Sequence, residues 1–271
     1  MTIDVLLICK NNVFYFENIF PKIYLTLLEF NPTFYIYENN STDKTAEILL
    51  NLEKKYDNIK VHSEYTKTYL NRYLNICNAR NSLIEFYKKE ESNNNSKFVL
   101  MLDTNILFKS NTIRKLFDLS KKKNDAVLLT PFTTYYNIND NNYKYYFDIL
   151  AYNYGKYFYT KTSPSLTFEI MQKDNNTNDE FASVDTCFGG LGLIRKDLLT
   201  SLPWKFIKPK EVVNSNISKN IICEHWNYCK KLKEFGNIYI QNNSKAVWLI
   251  ENDIRHNKEK IIKFINDEYY F

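Results

Sequence analysis

The sequence predicts an α/β fold in which helices cover both faces of a mostly parallel central sheet. The first observation is that short apolar or β-branched runs alternate with helical patterns along the chain. The runs that predict strands lie at residues 4–9, 33–37, 98–102 and 126–130. The second observation is size, because 271 residues, 44% of them hydrophobic, can bury one large core. No repeat or linker interrupts the sequence, so a single domain is predicted.

The stretch YIYENNSTDKT, at residues 35–45, joins the second strand to a helix. Ser41 or Asp43 can cap this helix, and Asp43 also complements its positive end. A short strand near residues 59–62 is expected next. The apolar face of the helix is predicted from residues at i, i+3 and i+7, namely Leu49, Leu52 and Tyr56.

A second helix, over residues 70–89, places a charged residue inside an apolar stripe. Arg80 lies among the residues that form this stripe, which are Ile76, Leu83, Ile84 and Tyr87. Burying an unpaired charge is costly, so Arg80 needs a polar partner. We expect it to reach a polar cleft, or else to extend to water or close a structural ion pair.

Polar residues follow the first three strands, at the edge where an open parallel sheet binds its ligands. They are Cys9, Lys10 and Asn11 after the first strand, Glu38, Asn40 and Asp43 after the second, and Asp103 and Asn105 after the third. An extended Asp-x-Asn segment is expected to point two side-chain oxygens the same way. Such a pair suits Mg²⁺ or Mn²⁺ bridging a diphosphate, and an ordinary strand-end turn is the alternative explanation.

The second half of the chain begins with a Tyr- and Asn-rich stretch at residues 135–180, which predicts an irregular lobe. A strand broken by glycines then enters a helix, and three of the five glycines lie within four positions: Gly189, Gly190 and Gly192. Missing β-carbons there would let the backbone approach a ligand closely. A bulge in the strand would require the same glycines.

A helix over residues 222–236 and strands at 238–241 and 246–250 are predicted to complete the domain. Glu224 begins the helix, where an acid is favourable for the helix dipole alone. His256 follows the last strand.

Charge and cysteine content exclude several classes of protein. The formal net charge is +5, from 36 Lys and Arg against 31 Asp and Glu, and the basic residues are scattered. This balance fits small phosphate-bearing ligands better than a nucleic-acid groove, so no nucleic-acid partner is expected. Five cysteines without a CxxC pair predict reduced thiols rather than a disulfide framework or a zinc knuckle.

The longest apolar runs, at residues 5–9 and 98–102, fall far short of the ~20 residues that a membrane span needs. We therefore expect no integral membrane segment and no signal peptide. Together with reduced thiols, this predicts a cytoplasmic location. No sequence feature indicates an oligomeric state.

The motifs YENNSTDKT, CNARN, FVLMLDTNI, CFGGLGLIR and CEH, in this order and at these separations, resemble the GT-A glycosyltransferases. These are nucleotide-sugar enzymes built on one Rossmann-like sheet. The match covers roughly residues 3–256. It implies one GT-A domain over residues 1–271, with a nucleotide-binding half at 1–130 and an acceptor-binding half at 131–271. The implied reaction is metal-assisted transfer of a sugar from a UDP- or GDP-sugar to a hydroxyl of a glycan, protein or lipid.

The resemblance also implies roles for individual residues. Glu38 would contact the base or ribose, Asn40 and Asp43 would shape the turn, and Arg80 would lean over the diphosphate or donor sugar. The implied nucleotide-sugar site consists of Cys9, Lys10, Glu38, Asn40, Asp43, Arg80, Asp103, Gly189 and Gly190.

The implied Mn²⁺ or Mg²⁺ site consists of Asp103, Asn105 and His256, with His225 as the competitor for the histidine position. Glu224 would face the acceptor and, in inverting members, act as the general base. A retaining enzyme would not need that base, so the stereochemical outcome stays open.

Two other functions remain open at this stage. Asn105 stands where a second Asp is common in the family, which weakens the charge of the metal site and favours a catalytically inactive sugar- or nucleotide-binding module. Nucleotidyl transfer to a sugar phosphate would use the same sheet and metal. It normally needs a glycine-rich loop after the first strand, and the CKNNVFYF segment at residues 9–16 contains no glycine.

Overall fold

A computed structural model of the chain describes residues 2–91, 96–136, 180–206, 224–249, 254 and 256–268. Almost all of the predicted irregular lobe at residues 135–180 lies outside these ranges. In the parts of the chain that are described, we find no helix with the length and apolar character of a membrane span.

The centre of the fold is a mixed sheet. Its strands are β1 (Ile3–Cys9), β2 (Pro32–Asn39), β3 (Ile59–Glu64), β4 (Phe98–Leu102), β5 (Ile106–Phe108), β6 (Ala126–Tyr136), β7 (Phe181–Val184), β8 (Leu191–Arg195) and β9 (Asn237–Leu249). They lie in the order β3-β2-β1-β4-β8-β6-β9-β5, and β7 also pairs with β9. The pairings among β3, β2, β1 and β4 are parallel, as is that of β6 with β9. The other pairings, which involve β5, β7 and β8, are antiparallel.

Helices pack on both faces of this sheet. They are α1 (Phe20–Leu27), α2 (Thr45–Lys55), α3 (Arg72–Glu90), α4 (Ser110–Lys122), α5 (Lys196–Ser201), α6 (Glu224–Lys233) and α7 (Lys258–Glu268). Successive side chains of a strand point to opposite faces, so Val5 and Leu7 of β1 join one apolar cluster and Leu6 joins the other. The first cluster includes residues of α1, α4 and α7, and the second includes residues of α3 and α6. The predicted fold class is confirmed.

Most of the predicted elements are present. β4 has the predicted bounds, and α3 begins two residues later than expected. β9 is one continuous strand where two were predicted, at residues 238–241 and 246–250. β2 continues to Asn39, so Glu38 lies inside the strand and not in the loop that follows it.

The start of α2 differs from the prediction, because neither Ser41 nor Asp43 is its N-cap residue. Lys44 holds that position, without a side-chain cap. The hydroxyl of Ser41 accepts a hydrogen bond from the backbone N–H of Asn11 at 2.9 Å. Asp43 Oδ1 accepts one from the N–H of Thr45 at 3.0 Å, so it satisfies the first N–H of the helix.

Candidate functional site

A cavity of about 1200 Å³ opens at the carboxyl ends of the parallel strands. Cys9 from the end of β1, Asn40 from the end of β2 and Asp103 from the end of β4 all line it. This is the edge at which ligands bind to open α/β sheets, because loops there expose polar groups. The volume exceeds that of typical small-molecule pockets, so a dinucleotide-sized ligand would fit.

Arg80 forms the centre of this cavity's charged wall, although its side chain is only 1% exposed. Its Nη2 donates a hydrogen bond to Asp103 Oδ1 at 2.8 Å and lies 3.8 Å from Glu224 Oε1. The guanidinium carbon lies 4.6 Å from the ring centre of Trp204 and 5.1 Å from that of Phe188. The buried charge is therefore balanced by carboxylates and by two aromatic rings.

Trp204 is held against Arg80 by the next residue of α3. The side chain of Asn81 donates to the backbone oxygen of Trp204 at 2.9 Å and accepts from its N–H at 2.8 Å. The CNARN segment thus supplies both the buried cation and the residue that places its aromatic neighbour. The sequence indicates Arg80 through its place in an apolar stripe, but no sequence signal indicates Trp204 or Phe188.

The two carboxyl groups beside Arg80 bind protons more tightly than usual. Burial raises the pKa of Asp103, and the charge and hydrogen bond of Arg80 oppose this shift. Burial also raises the pKa of Glu224, again against the effect of Arg80. A carboxylate of raised pKa is a better proton acceptor, which is the property that a general base needs.

His225 packs behind Arg80, with its ring stacked on Phe188 at 4.2 Å between ring centres. Burial, reinforced by the positive charge of Arg80, keeps the pKa of His225 well below its usual value, so the ring is neutral near pH 7. Its Nε2 lies 3.3 Å from Arg80 Nη2 and 3.2 Å from Glu224 Oε1. Arg80 has only protons to offer, so a neutral His225 accepts its hydrogen bond through Nε2 and carries its own proton on Nδ1.

The Asp103–Asn105 segment is a turn, so the expected alternation along an extended backbone is wrong. β4 ends at Leu102, and Asn105 has a left-handed φ of 70°. Both side chains nevertheless line the cavity. The turn is held by two backbone hydrogen bonds of 2.8 Å, from Asp103 N–H to Gly190 O and from Leu249 N–H to Asn105 O.

Asp103 and Asn105 could together hold a divalent cation. Arg80 engages Oδ1 of Asp103, which leaves Oδ2 and the amide oxygen of Asn105 as ligands. Mg²⁺ commonly takes one or two protein oxygens and completes its shell with water and substrate phosphates, so this donor set fits such an ion. The described residues contain no cluster of three or more His, Cys, Asp or Glu side chains that could hold a metal, so a bound phosphate group would have to supply further oxygens.

Glu38 does not line the cavity and is 2% exposed. Its Oε1 accepts a hydrogen bond from the backbone N–H of Ser41 at 2.8 Å, and its Oε2 accepts one from the hydroxyl of Ser63. The structure therefore brings Arg80 and Asp103 together in the cavity wall, while Glu38 joins β2 to β3 and to the following turn.

Four other residues of the predicted nucleotide-sugar site line the cavity: Cys9, Lys10, Asn40 and Asp43. Asn40, in a left-handed conformation with φ of 57°, accepts from the N–H of Thr66 at 2.9 Å and donates to its carbonyl at 3.0 Å. It thereby ties the loop after β3 to the end of β2. Lys10 is exposed, so its charge is accessible to a ligand.

Gly190 lines the cavity, and Gly189 does not. Both have positive φ, 78° and 65° respectively, which favours glycine. A β-carbon on Gly190 would lie 2.6 Å from Ile106 Cδ1 and 2.8 Å from the Trp248 ring. Close packing thus explains this glycine, and it allows Trp248, which the sequence did not indicate, to reach the cavity wall.

His256 is exposed, and the structure does not bring it into the cavity wall with Asp103 and Asn105. Three nearby residues do line the cavity: Ile254, Lys258 and Ile262. His225 lines it as well, and its Nε2 contacts Arg80.

The sequence matches no protein-family model and no curated protein. Solved structures, in contrast, resemble the chain in fold at low sequence identity. TarS 1–349 of S. aureus, in complex with UDP-GlcNAc, has 14% sequence identity and a TM-score of 0.55 over 93% of this chain. The mannosyltransferase PcManGT from Pyrobaculum calidifontis, in complex with GDP-Man and Mn²⁺, has 10% identity and a TM-score of 0.51 over 99%. GalNAc-T7 with UDP, GalNAc and Mn²⁺ has 14% identity and a TM-score of 0.59 over 92%.

The chain spans only part of these structures, namely 59% of the TarS fragment, 64% of the mannosyltransferase and 43% of GalNAc-T7. All three are glycosyltransferases of the GT-A type, solved with nucleotides or nucleotide-sugars. The resemblance drawn from the sequence motifs is therefore confirmed at the level of fold, and this chain has the GT-A fold.

Proposed function

We propose that this chain is a glycosyltransferase that moves a sugar from a UDP- or GDP-sugar to a hydroxyl group of a glycan, protein or lipid. The observation that carries the proposal is the convergence of Arg80, Asp103 and Glu224 at the carboxyl edge of the parallel strands. A buried cation between two carboxylates, one of which can bind metal and one of which can accept a proton, matches the needs of the reaction. The similar folds solved with UDP-GlcNAc and GDP-Man support the donor class.

On the donor side, Asp103 and Asn105 would hold Mn²⁺ or Mg²⁺. A bound divalent ion neutralises negative charge on the departing diphosphate, which accelerates cleavage of the sugar–phosphate bond. Arg80 favours the ionised form of Asp103 and orients its carboxylate, because it donates a hydrogen bond to Oδ1. His256 is exposed and does not line the cavity, so we propose Asp103 and Asn105 as the protein's own metal ligands.

On the acceptor side, Glu224 would remove the proton from the acceptor hydroxyl as the oxygen attacks the anomeric carbon. General base catalysis of this kind contributes ~10²- to 10⁴-fold to a rate. The raised pKa of Glu224 suits this step, and the charge of Arg80, whose Nη2 lies 3.8 Å from Oε1, attracts its carboxylate.

The function is tested by Glu224→Gln, which keeps the size of the side chain but cannot accept a proton. We expect donor binding within about twofold of wild type and a loss of transfer of at least ~10²-fold. Calorimetry with UDP- and GDP-sugars, with and without Mn²⁺, measures binding, and release of UDP or GDP measures turnover. Glu234→Gln is the matched control, because Glu234 is an exposed glutamate just beyond α6. Loss of donor binding in Glu224→Gln would contradict the acceptor-side role.

A second candidate is a sugar- or nucleotide-binding module without catalysis. Asn105 favours it, because an amide in place of a carboxylate lowers the negative charge available to a metal. Binding of a nucleotide-sugar without any turnover, across a panel of UDP- and GDP-sugars and acceptors, would select this function over the enzyme.

A further inference from the structure

Arg80 is poorly placed to contact a diphosphate directly. Two of its nitrogens, Nε and Nη1, are buried and make no hydrogen bond with the described residues. The third, Nη2, donates to Asp103 and faces His225. To bind a phosphate through Nη2, Arg80 would have to give up its contact with Asp103 or with His225, which is costly for a charge buried this deeply.

A different arginine on the same helix is exposed to the cavity and has a guanidinium available for a phosphate group. Arg72 is the first residue of α3, is exposed, and lines the cavity. Its charge lowers the pKa of both Asp103 and Glu224, so its field extends to both carboxyl groups of the site. The described residues make no ion pair with Arg72 that would occupy its guanidinium. The sequence patterns gave no indication of it, because an arginine at the start of a helix is unremarkable in a chain with many basic residues.

The geometry of α3 explains how one helix can present both arginines to one cavity. Five of the α3 residues that line it, Arg72, Asn75, Ile76, Ala79 and Arg80, recur at i, i+3, i+4, i+7 and i+8, and Tyr73, Asn78 and Ser82 widen this face at its edges. These positions form a single face of an α-helix. With a rise of about 1.5 Å per residue, Arg72 lies roughly 12 Å along the helix axis from Arg80. Arg80 therefore marks the buried end of this face, and Arg72 marks the open end.

Two other cations line the same cavity. Lys10 and Lys67 are exposed and line the same cavity, and the ammonium group of Lys67 lies 5.4 Å from the ring centre of Tyr69. An anion in this cavity would therefore find three exposed positive side chains in its wall. Arginine is the best suited of the three to hold a phosphate, because its planar guanidinium forms two parallel hydrogen bonds with phosphate oxygens.

We propose that Arg72 binds the diphosphate of the nucleotide-sugar donor directly, while Arg80 acts as a positioning residue for Asp103 and Glu224. This inference rests on the proposed function for the identity of the donor. The exposed Arg72 would bind the ligand, and the buried Arg80 would orient the protein's own carboxylates. This inference also predicts that binding through Arg72 depends on phosphate and not on the nucleobase.

The test is calorimetric titration of the full chain with UDP, GDP, uridine, guanosine and inorganic pyrophosphate. We expect Arg72→Ala to weaken binding of the preferred nucleoside diphosphate about 10- to 100-fold, as loss of charged hydrogen bonds does. Binding of the corresponding nucleoside should stay within about twofold. Arg72→Lys should recover part of the loss, because it keeps the charge and loses the paired hydrogen bonds. Arg114→Ala is the matched control, because Arg114 is an exposed arginine that pairs with Glu29 and does not line the cavity.

The outcomes separate this inference from the proposed function. Suppose that Arg72→Ala binds the diphosphate within about twofold of wild type and unfolds at the same temperature. This result overturns the role of Arg72 and leaves the glycosyltransferase proposal standing. If the wild-type chain binds pyrophosphate in an Arg72-dependent way but neither UDP nor GDP, the phosphate contact is supported and the donor class is wrong. If the wild-type chain binds none of the phosphate compounds, both proposals fail.

Discussion

The end of β2 and the end of β4 carry similar clusters of polar residues, but the two clusters have different partners. At the end of β2, Glu38 and Asn40 form hydrogen bonds to nearby backbone N–H groups. At the end of β4, Asp103 turns toward the cavity and meets Arg80 from a distant helix. A polar cluster after a buried strand therefore locates the site, but its side chains are available to a ligand only where the local backbone does not need them.

The strongest test of this comparison is Asp103→Asn, which removes the charge at the end of β4. We expect turnover to fall at least ~10²-fold, because metal and diphosphate lose a ligand. We also expect a loss of ~1–3 kcal/mol of stability, because Arg80 exchanges a charged acceptor at 2.8 Å for a neutral one and keeps Glu224 only at 3.8 Å. Steady-state kinetics and urea unfolding measure the two effects.

Two further variants separate activity from stability in this experiment. Arg80→Met combined with Asp103→Asn removes the buried cation as well, so stability should partly recover while activity stays lost. Asp197→Asn is the matched control, because it breaks an exposed pair with Arg195, and such pairs contribute ~0–1 kcal/mol. Normal turnover in Asp103→Asn would show that Asp103 is not a metal ligand and that the ends of β2 and β4 do not differ in function.

Protonation of the two carboxyl groups beside Arg80 is expected to make the activity depend on pH. Burial raises the pKa of Glu224, so its protonated form persists to higher pH than for an exposed glutamate. A protonated base cannot accept the proton of the acceptor. We therefore expect kcat/KM to fall as the pH decreases through this pKa, with an acid limb above the usual glutamate range. Asp103, whose pKa burial also raises, is expected to contribute to the same limb, because both carboxyl groups interact with Arg80.

The measurement is the pH dependence of kcat/KM for wild type and for Glu224→Gln. In the variant, the residual kcat/KM should no longer show the decrease at acid pH that the protonation of Glu224 causes in wild type. If kcat/KM falls only in the pH range of an ordinary glutamate, and falls in the same way in Glu224→Gln, then neither Glu224 nor Asp103 limits the reaction.

The sequence predicted most accurately those features that a single segment determines. β4 was predicted to the residue, because five consecutive apolar side chains are all buried. Arg80 was identified because a charge inside an apolar stripe must have a partner. Neither observation requires knowledge of another part of the chain.

Features that depend on distant contacts were not predictable. Residues 242–245 of β9 are polar and were interpreted as a break between two strands. The structure includes them in β9, but the pairing with β6 passes directly from Gln241 to Lys245, so residues 242–244 form an irregularity in the ladder. Two carbonyl groups of this segment are satisfied by α4 instead, with Thr112 donating to Lys245 O at 2.8 Å and Lys115 donating to Asn243 O at 2.5 Å. Trp204 reaches Arg80 by a contact between residues more than a hundred positions apart, which no local pattern encodes.

The smallest effect, and the most direct check on the comparison, is expected at Glu38. The family resemblance assigns this residue to the base or ribose, whereas its carboxylate binds Ser41 and Ser63. Glu38→Ala should cost ~1–3 kcal/mol of stability, because the N–H of Ser41 loses its acceptor. Glu38→Gln should cost less, because the amide oxygen can accept from Ser41 and the hydroxyl of Ser63 can rotate to accept from the amide.

The donor KM of Glu38→Gln decides between the two roles. We expect it to stay within about twofold of wild type, since the side chain does not line the cavity. Glu53→Gln is the matched control, because Glu53 likewise accepts a hydrogen bond from a backbone N–H, that of Val61 at 2.7 Å, and lies outside the cavity wall. A donor KM raised more than about tenfold in Glu38→Gln, with unfolding unchanged, would mean that the nucleoside reaches Glu38 after all. In that case the ends of β2 and β4 would both bind the donor, and the turn after β2 would have to open to admit it.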